Sequence, residues 1–259
     1  MSELLLQSRD ARGVVTLTLN DPTRFNALGA SMLCALQDAL DAIAQDGRVR
    51  VVVLAANGKA FCAGHNLKEM AVLEAHGEYE ALFTQCSRMM LSIAKLPVPV
   101  IARVHGIATA AGCQLVAQCD LAVASTDASF ATSGINYGLF CATPSVPLVR
   151  NVPFKQAMEM LLTGNFLDAA TAQAQGLINR AVEPPTLDMH VEELVQAIVR
   201  KPAVAVRMGK ALLYRQREMG LESAYSLAAE VMACNMMDAD AQEGAQAFVQ
   251  KRQPQWRGT

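Results

Sequence analysis

Two stretches concentrate residue types able to act on a charged oxygen: FCAGHNLKEM at 61–70 and GIATAAGCQL at 106–115. Each follows a short apolar run and opens into a helical pattern, with Gly and Ala where the backbone turns. Small side chains let a ligand approach the main chain, and first-turn N–H groups have no intrahelical acceptor. Two such N–H groups converging on one point would hold an oxyanion, as thioester enolates and tetrahedral adducts require. Gly-Ala turns also pack helices against strands in many α/β proteins, so spacing alone leaves both readings open.

The other reactive side chains read more plainly. Seven cysteines occur, an odd number, with no CxxC and no His pair at zinc spacing. No metal site is expected, and reduced thiols in a cytoplasmic setting are the default. Cys62 and Cys113 flank the two loops as small apolar residues. Cys141 would need an electropositive neighbour to be a nucleophile, and none is evident, so packing is its simpler role. His105 and Asp120 are expected to be structural, the latter as a hydrogen-bond acceptor. The methionines at helical spacing, including Met89, Met90, Met160, Met232, Met236 and Met237, read as core.

These loops need a scaffold. The segments ELLLQSR and VVTLTLN flank a DARG turn, a hairpin signal. Residues 29–46 carry Leu33, Leu36, Leu40 and Ile43 at helical steps. Apolar runs at 49–56 and 97–104 and DLAVAS at 120–125 read as buried strands, each followed by a loop and a helix; 67–95 reads as mostly helix. Three repeats of strand, loop and helix imply α/β layering. Beyond about residue 145 the pattern is almost wholly helical, with Asp168 or Thr171 as a cap and Pro184 and Pro202 as punctuation.

Composition narrows the classes. The 259 residues are 52% hydrophobic and 18% charged, with a net charge of −2. Such a chain can bury a substantial core, and it lacks the basic excess of a nucleic-acid binder. The longest apolar stretch, 96–117, is interrupted by Arg103, His105 and Gln114, so no membrane span is expected. No secretory or transit signal is read at the N-terminus.

GKAFCAGHNLKEM and VHGIATAAGCQLVAQCDLAVAS resemble the two oxyanion stretches of the crotonase (enoyl-CoA hydratase/isomerase) superfamily. LNDPTRFNAL, FATSGINYGLF, LLTGNFLDAATAQAQGLINRAV and EGAQAFVQKR match further pieces in the family's order. The resemblance implies an α/β fold, a spiral of β-β-α units over 1–200. Residues 201–259 would add a helical trimerisation region within the same structural unit. It implies a trimer or dimer of trimers, and acyl-coenzyme A as substrate with no separate cofactor. His65 and Ala111 would donate the oxyanion N–H groups. Arg24, Ala27, Ala63, Asn66, Leu67, Lys68 and Gly112 would contact the thioester and CoA, with Phe248 and Lys251 offered by a neighbouring subunit.

The chain departs from the family at the acid–base positions. Hydratases of this family carry two glutamates, and the matching positions are Gln114 and Gly134. An amide cannot accept water's proton and glycine can do nothing to it. General acid–base groups contribute about a hundred- to ten-thousandfold each, so efficient hydration is not expected. Isomerases keep the second carboxylate or place an aspartate near 142, and neither is present. The pattern is similar to the enoyl-CoA hydratase domain-containing subgroup, which also lacks both glutamates. A methylmalonyl-CoA decarboxylase-like branch shares the His after Ala-Gly, with Cys141 falling where that branch has Tyr. An oxyanion-stabilising enzyme, a malonyl-type decarboxylase and a non-catalytic acyl-CoA binder are the readings carried forward.

Overall fold

The computed structural model describes residues 3–257. An antiparallel hairpin opens the chain, β1 (Leu5–Arg9) and β2 (Val14–Leu19), followed by α1 (Ala30–Gln45). Three units of one kind follow. The first is β3 (Val51–Ala56), β4 (Ala60–Cys62), α2 (Leu67–Met70) and α3 (His76–Lys95). The second is β5 (Val100–Val104), β6 (Ile107–Thr109) and α4 (Ala111–Gln118). The third is β7 (Leu121–Ser125), β8 (Ser129–Ala131) and α5 (Ala142–Asn151). Then come α6 (Phe154–Thr163), β9 (Leu167–Asp168), α7 (Ala169–Ala174) and β10 (Arg180–Val182). Four helices close the chain: α8 (Leu187–Val199), α9 (Ala203–Gln216), α10 (Leu221–Met236) and α11 (Ala239–Val249).

Each unit gives one strand to each of two sheets, which is the expected β-β-α spiral. The larger sheet runs β1-β2-β3-β5-β7-β10 and is parallel except for the hairpin. The smaller runs β4-β6-β8-β9. Strand β3 shows why the central strands read as unbroken apolar runs. Val52, Leu54 and Ala56 enter the main core, while Val51 and Val53 pack beneath Leu187, Val191 and Val195 of α8. With both faces covered, no polar alternation remains.

Several expectations are refined. The two glycine-containing loops contain β4 and β6, three residues each, too short to show a period. The helix expected over 67–95 is broken at 71–75. There the Glu78 carboxylate accepts the N–H groups of Glu74 and Ala75, both at 2.9 Å, and starts α3 afresh. Asp168 caps α7 by accepting from the Thr171 N–H at 2.7 Å. Met89, Met90 and Met160 are core, but Met232, Met236 and Met237 are exposed on and just after α10. Helical spacing alone could not distinguish a core-facing stripe from an outward one. Asp120 accepts from the Val100 N–H at 2.7 Å and pairs with buried Lys210 of α9 at 2.6 Å, tying that helix to the sheet. Among the described residues, no helix is long and apolar enough to cross a membrane.

Candidate active site

The loop between β2 and α1 is stitched onto the first glycine-containing loop. Phe25 and Asn26 adopt left-handed backbone (φ 52° and 55°), turning the chain sharply. The buried Asn26 amide donates to the carbonyls of Asn57 (2.8 Å) and Ala60 (2.9 Å) and accepts from the Asp21 N–H (2.8 Å). Ala63 N–H then donates to Phe25 O at 3.0 Å and Leu28 N–H to Gly64 O at 2.7 Å. These bonds pair both ends of the Asn26 amide and tie the turn to residues 57–64.

Gly64, with φ 89°, brings the first loop against the second. A Cβ there would lie 2.9 Å from Thr109 O and 3.1 Å from the Ala111 nitrogen. The residue immediately following is His65. On the other side Ala110 holds φ 51°, ψ −119°, its N–H donating to Ala131 O at 2.9 Å while its carbonyl accepts from Gln114 and starts α4. Such backbone costs a non-glycine residue about 1–3 kcal/mol and persists only where its surroundings enforce it. Neither the His65 nor the Ala111 N–H has a backbone acceptor among the described residues.

Both residues line one cavity of about 150 Å³. Its other walls come from Ala63 and Leu67, from Met70 and Phe83 of α2 and α3, and from the segment spanning 133–144. Among the described residues, no carboxylate, lysine or arginine lines it. The His65 ring meets Phe83 edge-on at 5.4 Å, and its Nδ1 lies 3.2 Å from Leu28 O. A carbonyl only accepts, so Nδ1 carries the proton, and burial pushes the imidazole pKa down so that the ring stays neutral. Nε2 is buried without a partner.

The position expected to lack the second glutamate is physically filled. A Cβ at Gly134 would lie 2.7 Å from Leu139 O and 2.8 Å from Cys141 Sγ. Cys141 faces the cavity at 6% exposure, and burial pushes its thiol pKa up, which disfavours the nucleophilic thiolate. Burial likewise pushes Cys62 and Cys113 up to about 12.

Of the residues singled out in the sequence, the cavity gathers Ala63, His65, Leu67, Ala111, Gly134 and Cys141. The others stand elsewhere. Gln114 is 3% exposed within α4, outside the cavity lining, with its Oε1 unpartnered. Gly112 is a packing glycine, since a Cβ would run into the Cys62 carbonyl oxygen. Asn66 caps α2, accepting from Lys68 N–H at 3.1 Å and donating to Glu69 at 2.8 Å. Lys68 is exposed; Arg24 lies exposed 3.8 Å from Asp21; and Ala27 is half-buried within the stitched turn. Phe248 is 85% exposed on α11, and Lys251 follows that helix with φ 55°. His105 is structural, its Nε2 2.8 Å from Gly58 O. Sequence reasoning missed Met70, Phe83 and Tyr137 as wall residues because they converge from separate segments.

The spiral of paired strands, with two strand-to-helix turns meeting over an apolar cavity, defines the class. The chain belongs to the enoyl-CoA hydratase/isomerase family, whose model matches residues 9–259. It is 42% identical over 252 residues to rat enoyl-CoA hydratase domain-containing protein 3, mitochondrial, covering 97% of this chain and 84% of that one. Among solved structures, it resembles enoyl-CoA hydratase from Mycobacterium smegmatis (61% identity, TM-score 0.98, covering 98% of this chain and 99% of that one). It also resembles human enoyl Coenzyme A hydratase domain-containing protein 3 (40% identity, TM-score 0.94, 98% and 100% covered).

Proposed function

We propose that this protein binds acyl-CoA thioesters and stabilises a thioester enolate, with the carbonyl oxygen received by the His65 and Ala111 N–H groups. The observation that carries this reading is that two unpaired backbone donors, one from each loop, border the same apolar cavity. Donors fixed before the reaction and removed from water gain most when charge develops on the oxygen. Nothing need reorganise at that moment, because the Asn26 stitching and the Ala110 backbone already hold both loops.

Efficient hydration is not part of the proposal. Among the described residues no carboxylate lines the cavity to position water or move its protons, and each such group ordinarily contributes about a hundred- to ten-thousandfold. The lining also offers no lysine or arginine to hold the carboxylate of a malonyl-type thioester, which disfavours binding one. A carboxylate stripped of water there would nonetheless lose carbon dioxide more readily, so decarboxylation stays the second reading and is assayed directly. The CoA portion would extend past Leu67 toward Asn66, Lys68, Ala27 and Arg24. Self-association would use α10, where Leu221, Tyr225, Met232 and Met236 form one exposed apolar face. In such an assembly Phe248 and Lys251 would serve a neighbour's CoA.

The test is titration of the purified protein with free CoA and with butyryl-CoA, alongside crotonyl-CoA hydration and methylmalonyl-CoA decarboxylation assays. Tighter binding of the thioester than of free CoA, with hydration far below an ordinary hydratase, is the expected result. Equal affinity for both, or rapid hydration, would overturn the proposal.

A further inference from the structure

The cavity's walls discriminate among acyl groups. Its buried side is closed by Met70, Cys141 and Pro144, while Tyr137, Leu139 and Phe140 are exposed and form the rim. Phe83, half-buried, is braced edge-on against His65. The Tyr79 hydroxyl donates to the carbonyls of Met70 (3.3 Å) and Leu73 (2.8 Å), fixing the end of α2 against α3. Met70 and Phe83 therefore belong to a tied wall. The space between these walls, about 150 Å³ and open along the rim, matches in volume an apolar cavity that holds a benzene-sized group of about six carbons.

Charge is excluded as firmly as length. The polar side chains on the lining are the hydroxyls of Ser133, Thr143 and Tyr137, the Cys141 thiol and the His65 imidazole, whose pKa burial pushes down, away from the cationic form; Ser133 Oγ already lies 2.6 Å from Thr109 Oγ1. A carboxylate on the acyl chain would lose its water with no cation to replace it. We propose that the site takes short, uncharged acyl thioesters of about four to six carbons, and that Phe83 and Met70 set the length limit. This rests on the thioester reading above and adds the identity of the acyl group.

The experiment is calorimetric titration of the full chain with free CoA, acetyl-, butyryl-, hexanoyl-, decanoyl- and succinyl-CoA. Affinity should rise about fourfold per added methylene up to butyryl or hexanoyl, then fall for decanoyl. Succinyl-CoA, matching butyryl in length but carrying a carboxylate, should bind at least about tenfold more weakly than butyryl-CoA. Phe83→Ala should move the preferred chain outward by about two carbons, and Met70→Ala supplies the same reading if the first variant fails to fold. Decanoyl binding as tightly as hexanoyl, succinyl matching butyryl, or an unchanged length profile in both folded variants would overturn the assignment. Should no thioester exceed free CoA, the thioester reading itself falls, a separate and recognisable outcome.

Discussion

Replacing Gly64 with alanine puts a methyl group where the two loops meet. Its Cβ would sit 2.9 Å from Thr109 O and 3.1 Å from the Ala111 nitrogen, on backbone held at φ 89°. The left-handed strain costs about 1–2 kcal/mol and the overpacking about 1–3 kcal/mol. A total of about 2–5 kcal/mol corresponds to a Tm lowered by about 4–20 °C, at about 2–4 °C per kcal/mol. Beyond stability, the methyl group obstructs the Ala111 N–H. Losing a neutral hydrogen bond of about 0.5–1.5 kcal/mol weakens thioester binding by about two- to twelvefold. Any turnover that passes through an oxyanion should fall by about a hundred- to a thousandfold. Free CoA has no carbonyl at that point, so the measured quantity is the ratio of butyryl-CoA to free-CoA affinity. Gly13→Ala is the control: Gly13 also holds a positive φ of 79° and meets the Arg48 carbonyl oxygen, but it lies in the β1–β2 turn. It should lower the Tm without changing the ratio. A folded Gly64→Ala protein that keeps the wild-type ratio would refute the reasoning.

Further perturbations follow from other contacts. Lys210→Met strands the Asp120 carboxylate and two carbonyls, of Ile93 and Val98, that Lys210 now satisfies. Urea unfolding should show a loss of about 3–5 kcal/mol, and a change under about 1 kcal/mol would show the pair to be dispensable. Gly134→Glu should lower stability by about 1–3 kcal/mol without creating hydratase activity, and adding Cys141→Gly should restore part of the loss; thermal melts and crotonyl-CoA assays test both. Burial depresses the His65 pKa in the folded state despite the Leu28 carbonyl, so below about 6.5 the unfolded chain binds the proton more readily. Stability attributable to His65 is thus complete above that pH and lost as pH falls beneath it, a slope that His65→Gln should flatten in pH-dependent denaturation. Met232→Glu, on the exposed face of α10, should shift sedimentation toward smaller species, whereas an unchanged distribution would remove that face from the assembly.

What the residues disclosed in advance depended on how local the cause was. β3, β5 and β7 were legible because burial on both faces leaves continuous Val, Ile, Leu and Ala runs. β4, β6 and β8 were hidden within small-residue loops, being only three residues long and stabilised by distant partners. The loops carrying His65 and Ala111 were visible as Gly-Ala turns, yet the Ala110 backbone angle that exposes the second N–H leaves no mark in composition. The resemblance located Gly134, but only tertiary packing shows Cys141 and Leu139 occupying its side-chain space. Met70 and Phe83 looked like ordinary helix residues until the fold brought α2 and α3 over the loops. Met232, Met236 and Met237 carry the pattern of a buried stripe and lie outside, since periodicity names a face without saying what covers it.

The central claim concerns the polarity felt by one carbonyl oxygen. Isotope-edited infrared difference spectroscopy of butyryl-CoA labelled at the thioester carbonyl, free and bound, reports it directly. Two backbone donors at His65 and Ala111 should move the carbonyl stretch to lower frequency on binding, with a smaller displacement in Gly64→Ala and the wild-type displacement in Gly13→Ala. A bound thioester whose carbonyl frequency stays at its value in an apolar solvent would contradict the account.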